Sequence, residues 1–208
     1  MKSNKHLGRI ILIHGVKAKK SNRAKLKRLA PAFRRAGFCV ITPSYGFIPA
    51  FMVGIFQWID NRIADNMTAF IREDDILLGH SNGATLAYLI AKKRHVRGVI
   101  LLNAALEPDK VPNADWVHVY YNKGDYVAWL SKLIPFHPWG PMGHEGYSGT
   151  DPRVLNIDQA NPPDITLPRL NGHSAIFEVR KTRPWAEYMS KLAAVYVETS
   201  YITRQSYE

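Results

Sequence analysis

The stretch that most constrains this 208-residue chain is Ile76-Leu77-Leu78-Gly79-His80-Ser81-Asn82-Gly83. An apolar run stops at a glycine, a serine follows two residues later, and a second glycine opens the Ala- and Leu-rich segment 83–93. The run reads as a strand and the segment after it as a helix. Gly79-His80-Ser81-Asn82-Gly83 is therefore a G-x-S-x-G pentapeptide placed where strand turns into helix. So sharp a turn holds the serine backbone in a strained conformation. Glycines two residues to either side let neighbouring backbone approach without a Cβ clash. With Gly and Ser each at roughly 7% of residues, about 0.07 chance occurrences are expected in a chain of this size. The strand-before, helix-after setting makes the pattern more specific still.

The rest of the chain alternates in the same way. Arg9–Ile13, Phe38–Thr42, Asp75–Leu78, Arg97–Asn103, Trp116–Tyr121 and Val154–Ile157 read as short apolar strands. Between them, Leu26, Leu29, Ala30 and Phe33 recur at helical spacing within 22–36, a helix that Ser21 or Asn22 can cap and Gly37 can end. Phe56–Ile71 and Gly83–Lys93 follow as helices, and Pro184–Thr199 closes the chain with Pro184 suited to a first turn. Near-continuously apolar strands separated by helices imply βαβ units. The expectation is an α/β fold: a mostly parallel, about six-stranded sheet with helices on both faces. No repeat or linker divides the chain, so 1–208 is read as one domain. Residues 126–150, rich in Pro, Gly, Trp and His, form a loop insertion at the substrate site.

Composition removes several classes. Hydrophobic residues make up 46% and charged ones 22%, ordinary globular values that exclude disorder, collagen and coiled coil. Cys39 is the single cysteine, so no internal disulfide or cysteine metal framework exists, and its place in an apolar run suggests a packed thiol. With no Cys/His metal spacing and no G-x-G-x-x-G, neither metal nor cofactor is expected. The run Ile10–Ile13 is too short for a signal-peptide core. Tyr45–Ile59 is the longest apolar stretch, but Pro49 and Gly54 interrupt it and it falls short of the about 20 residues of a membrane span. A cytoplasmic protein without a transmembrane segment is the expectation.

The net charge of +11 is concentrated: residues 1–59 hold twelve Lys and Arg and no acid, leaving the remainder near neutral. The plainer reading is a solvated face of the 22–36 helix, with Lys25, Arg28 and Arg35 turned to water. The sharper one is weak attraction of residues 17–35 to an anionic surface. No nucleic-acid motif accompanies the charge, so sequence-specific nucleic-acid binding is not expected.

A serine becomes a nucleophile only beside a base that takes its proton and an acid that orients that base. The acid belongs after a later strand, because ligands gather at the carboxyl ends of parallel strands. Asp125, in Asn122-Lys123-Gly124-Asp125 directly after Trp116–Tyr121, fits; Glu107 and Asp109 after the preceding strand are its rivals. For the base, His137, His144 and His173 follow Asp125. His173 stands past the last candidate strand, on a loop at the same sheet edge, whereas His144 reads as a pocket-wall residue. An oxyanion hole needs two N–H donors. The N–H of Asn82 is one by the geometry of the turn, and that of Val16, after Ile13-His14-Gly15, is the natural second. His14 and His80 are read as structural, His80 packing under the turn.

Together Ile13-His14-Gly15, Gly79-His80-Ser81-Asn82-Gly83, Asn122-Lys123-Gly124-Asp125 and Gly172-His173 resemble the landmarks of the α/β-hydrolase superfamily, in its order and over nearly the whole chain. The resemblance implies Ser81 as nucleophile, Asp125 as triad acid, His173 as base, and Val16 and Asn82 as oxyanion donors. It implies a small member without a large cap domain, similar in scale to minimal lipases and cutinases, although a single cysteine departs from the disulfides of cutinases. The superfamily also holds thioesterases, peptidases and non-catalytic members. The function expected is hydrolysis of a small-molecule or lipid-like carboxylic ester. Alternatives are thioester or peptide cleavage by the same triad, or a binding module that uses the basic segment to hold an anionic polymer or membrane. Tyr45, Phe47, Trp129, Phe136, Trp139 and Met142 are the expected pocket residues, from two apolar segments that follow strands at the catalytic edge.

Overall fold

Six strands pair into one sheet in the order β2-β1-β3-β4-β5-β6, every neighbouring pair parallel. They are β1 (Arg9–Ile13), β2 (Cys39–Ile41), β3 (Ile76–His80), β4 (Val96–Leu102), β5 (Ala114–Tyr121) and β6 (Val154–Asp158). The structure is a computed structural model that describes residues 6–15, 25–44, 57–130 and 139–205. The chain runs from β1 outward to β2, then returns to β3 on the other side of β1. The order thus reverses between β1 and β3, and open α/β sheets generally bind their ligands beyond the carboxyl ends of strands at such a reversal.

Each central strand is apolar on both faces because both faces are covered. Ile10, Leu12, Ile76, Leu78, Ile100 and Leu102 face one layer, where Phe33, Trp185 and Met189 meet them. These come from α1 (Ala30–Arg35) and α6 (Val179–Gln205). Ile11, Ile13, Leu77, Val99 and Leu101 face the other, against Ile63, Met67, Leu86 and Ile90. Those belong to α2 (Gln57–Thr68) and α3 (Asn82–Lys93). Each such side chain, fully withdrawn from water, stabilises by about 1.5–3 kcal/mol.

Local chemistry shifts three expectations. The helix read over 22–36 is not continuous among its described residues. Arg28 and Leu29 donate to the carbonyls three residues back, at 3.0 and 3.1 Å, before α1 begins at Ala30. Pro31 explains the break: it lacks the N–H that Lys27 would receive, and its ring crowds that carbonyl. The closing helix starts earlier than expected. The Glu178 carbonyl accepts from Lys181 and Thr182 N–H, both at 2.9 Å, so Pro184 lies inside α6. A proline so near the start forfeits one hydrogen bond, and the buried stripe Trp185, Met189, Ala193 and Val197 carries the helix through. Cys39 is exposed, not packed, because β2 is a three-residue edge strand. Among the described residues no helix is long and apolar enough to cross a membrane.

Among its described residues the segment 126–150 contains two short helices, α4 (Tyr126–Leu130) and α5 (Met142–Glu145), and a bridge between Leu106 and Pro141. Its glycines bring the chain tightly against the sheet edge. A Cβ on Gly143 would meet the Asn103 carbonyl carbon at 2.6 Å and Asp125 Oδ2 at 2.8 Å.

Candidate active site

Ser81 sits between β3 and α3 with φ 57° and ψ −128°, a left-handed conformation that a residue with a Cβ adopts only under constraint. The constraint is visible on every side. Ser81 N–H donates to the Leu102 carbonyl at 3.0 Å, and the Ser81 carbonyl accepts from Ala84 N–H at 2.9 Å. A Cβ on Gly79 would lie 2.3 Å from the Gly83 carbonyl oxygen, and one on Gly83 2.2 Å from that of Ile13. Only glycine fits at either position. The turn thus holds the hydroxyl at the carboxyl end of β3, where the sheet order reverses.

His173 arrives from the loop after β6. Ser81 Oγ–H donates to His173 Nε2 at 2.8 Å. His173 Nδ1–H donates toward both carboxylate oxygens of Asp125 at 2.9 Å. These partners assign the tautomer with its proton on Nδ1. Asp125 is fully buried just beyond β5. Burial pushes its pKa up, but hydrogen bonds from His173, from the Ala128 N–H at 3.0 Å and from Asn103 Nδ2 at 3.0 Å outweigh that, and the net shift is downward. It stays a carboxylate near neutrality and holds the imidazole by its far side.

The loop that carries His173 is itself fixed. Gly172 takes φ +113°, and its N–H donates to Asn122 Oδ1 at 2.9 Å. Asn122, fully buried, donates from Nδ2 to Gln159 Oε1 at 2.9 Å. His80 Nε2–H donates to the His173 carbonyl at 2.9 Å. Burial, aided by the nearby His173, lowers the His80 pKa to about 3, so His80 is neutral near neutral pH.

Asn82, 2% exposed, is the first residue of α3, where helix N–H groups lack intrahelical partners. Its main-chain N–H makes no hydrogen bond among the described residues. It lies beside the serine at the positive end of the helix dipole, suited to meet developing negative charge. Val16, the expected second donor, lies outside the described residues, as do Tyr45, Phe47 and Phe136.

Of the remaining expected pocket residues, Trp129 is 41% exposed on α4, one turn beyond Asp125. Trp139 reaches the elbow and donates from Nε1 to Asn82 Oδ1 at 2.6 Å. Met142 does not line an open site. It is wholly buried among Ile13, Ala104 and Leu106, because the bond from its N–H to the Leu106 carbonyl pulls α5 onto the core. The rival acids stand elsewhere: Glu107 is exposed and Asp109 pairs with Lys110. His144 lies on α5 with its ring 6.4 Å from that of Tyr126.

Sequence reasoning missed Asn103, Asn122 and Asp60, and did not see that His80 braces the His173 loop. Asn103 carried a signal. An asparagine at a strand end tolerates left-handed backbone, here φ 45°, and that turn aims its amide at Asp125. Among the described residues no group of three or more His, Cys, Asp or Glu is arranged to hold a metal ion.

No protein-family model matches the chain. No curated protein matches it either. Solved structures do. An esterase of Pyrococcus furiosus superposes with a TM-score of 0.60 at 9% identity, over 94% of this chain and 84% of that one. A lidless α/β serine hydrolase of Xanthomonas campestris gives 0.52 at 14%, over 88% and 80%. A serine-to-alanine variant of a pyrethroid hydrolase gives 0.53 at 16%, over 92% and 99%. The chain therefore has the α/β-hydrolase fold.

Proposed function

We propose that the protein is a serine hydrolase that cleaves carboxylic esters through an acyl-enzyme intermediate. The observation that carries this reading is the continuous line from Ser81 Oγ through the His173 ring to Asp125, with contacts of 2.8 and 2.9 Å. In it, Ser81 Oγ attacks the ester carbonyl while His173 Nε2 takes the hydroxyl proton. Asp125 stabilises the imidazolium, and Asn82 N–H, with Val16 N–H as second donor, receives the oxyanion. His173 returns the proton to the leaving alcohol, then activates the water that releases the acid. The strained backbone at Ser81 supports it too, since strain of this kind is retained where it positions a reacting group. So do the structural neighbours, which include an esterase. Indole and phenol rings at Trp129, Trp139 and Tyr126 suit an apolar or aryl group.

The test is hydrolysis of p-nitrophenyl esters of increasing acyl length, together with labelling by a fluorophosphonate. Turnover that Ser81→Ala abolishes, with the label on Ser81, supports the reading. A folded protein that neither turns over esters nor labels at Ser81 overturns it. A preference for thioesters or anilides in the same panel would move the substrate class and keep the machinery.

A further inference from the structure

The elbow carries a buried network that the reaction just described does not use. Asp60, on α2, is fully buried. Its Oδ1 accepts from Asn82 Nδ2 at 3.1 Å. Its Oδ2 has no hydrogen-bond partner among the described residues, and no described cation pairs with it. On the opposite side, Asn82 Oδ1 accepts from Trp139 Nε1–H at 2.6 Å. An indole N–H only donates and the carboxylate Oδ1 that faces Asn82 accepts, so the Asn82 amide has one orientation. It is clamped from α2 on one side and from the segment after β5 on the other.

A carboxylate is a poor choice for this place if packing alone is at stake. Half of it goes unsolvated and unpaired, whereas an aliphatic side chain would fill the space without that penalty. Burial raises its pKa to about 6, with the Asn82 bond opposing the rise. What the acid achieves is to hold the side chain of the residue whose own N–H faces the oxyanion. Fixing the amide plane fixes the Cα of Asn82, and with it the direction of that N–H. Donors to an oxyanion act through preorganisation, so a small tilt in the free state must be undone during the reaction.

We infer that Asp60 and Trp139 are positioning residues for the oxyanion donor, acting through the Asn82 amide; the inference rests on the ester-hydrolase reading above. It separates two roles for Asp60. As a mere helix clamp it would affect unfolding. As a positioning residue it affects the affinity for a transition state more than that for an ester.

The experiment compares wild type with Asp60→Asn, Asp60→Leu and Trp139→Phe. It reads kcat and KM for p-nitrophenyl ester hydrolysis, inhibition by an aryl boronic acid, and the thermal midpoint. Asp60→Asn keeps an acceptor for Asn82 Nδ2 and is expected to retain kcat within about threefold. Asp60→Leu removes the acceptor. It is expected to lose kcat by about 10- to 100-fold, with KM within about threefold and boronate affinity falling in step with kcat. Trp139→Phe removes the other anchor and is expected to lose kcat by about tenfold. It also decides the matter if Asp60→Leu fails to fold. Folded Asp60→Leu, or Trp139→Phe in its place, with kcat and boronate affinity within twofold of wild type overturns the inference. So does a loss in Asp60→Asn equal to that in Asp60→Leu. Wild type without any ester turnover overturns the hydrolase reading, and the positioning role with it. An active wild type with unchanged variants overturns the positioning role alone.

Discussion

His80 and His173 are joined through a main-chain atom: the ring of the first donates Nε2–H to the carbonyl of the second at 2.9 Å, and the two ring centroids lie 5.0 Å apart. The residue before the serine thus grips the backbone of the proposed base. Phe177 closes the far side of the His80 ring at 4.8 Å, edge-on. His80→Phe keeps a ring in that slot but loses the N–H. Its kcat for ester hydrolysis is expected to fall by about tenfold with little change in KM, because the imidazole is then less well aligned. Steady-state kinetics on a purified, folded variant checks this; a kcat equal to wild type would show that the loop needs no such anchor.

Asn103 Nδ2 donates to Asp125 Oδ2 at 3.0 Å, an oxygen that the His173 Nδ1–H also meets at 2.9 Å. Removing that amide leaves Asp125 Oδ2 with one donor fewer in a buried site. Asn103→Ala is expected to raise the pKa of Asp125 and lower kcat by about three- to tenfold. Asp125→Asn, which forces the wrong imidazole tautomer, is expected to lower it by about 10⁴-fold. The order of the two losses is the measurement: a larger loss in Asn103→Ala than in Asp125→Asn would contradict this arrangement.

Gly83→Ala is the smallest change that breaks the turn. Its new methyl would stand 2.2 Å from the Ile13 carbonyl oxygen and 2.7 Å from that of His14, both backbone atoms that cannot swing aside. Overpacking of this kind costs about 1–3 kcal/mol and here falls at its upper end. A chemical-denaturation midpoint equal to wild type would mean that β1 yields more readily than its pairing with β3 implies.

His118 predicts acid sensitivity. It is fully buried on β5 between Trp116 and Tyr196, and neither ring nitrogen has a hydrogen-bond partner among the described residues. Burial holds its value at about 3, against 6.5 for the free side chain. Above pH 6.5 neither folded nor unfolded chain carries the proton and the group adds no pH dependence. As pH falls below that, the unfolded chain binds a proton the folded one refuses, and stability drops by about 1.4 kcal/mol per pH unit. His80 acts in the same direction. Asp60 acts in the opposite one: its value of about 6 lies above the ordinary 3.8, so the folded state gains a proton between these values and is favoured. Two histidines against one acid leave a net loss from pH 6 to 4. His118→Leu is expected to flatten that decline in urea titrations and raise stability at pH 5; an unchanged slope would contradict the buried neutral histidine.

Much of this architecture was legible because its signals are local. Ile10–Ile13 and Leu77–Leu78 are apolar at every position, which only a two-sided sheet requires, and the glycines around Ser81 mark a turn no other residue could make. The sequence order of Ser81, Asp125 and His173 also placed them after the third, fifth and sixth strands, where the structure brings them into contact. What could not be read depends on three-dimensional neighbours. Asp60 looks like any acid in the first turn of an amphipathic helix, and nothing near it in sequence names Asn82 as its partner. Met142 is apolar and lies in a glycine-rich loop, so it resembled a pocket residue until α5 folded it inward. The break at Pro31 was visible, but the apolar spacing from Leu26 to Phe33 survives across it and concealed it.

The parallel sheet order has a temporal side. His173 is contributed 92 residues after Ser81, on the far side of the last strand. During synthesis the chain lays down the strained serine turn first, and the acid, the final edge strand and the imidazole only afterwards. Because β3 is flanked by β1 and β4, the elbow gains its support well before it gains a base. The emerging polypeptide therefore holds the Ser81 hydroxyl without its histidine partner until residue 173 has been made, and the chemistry proposed for it waits on the last strand and the loop that follows.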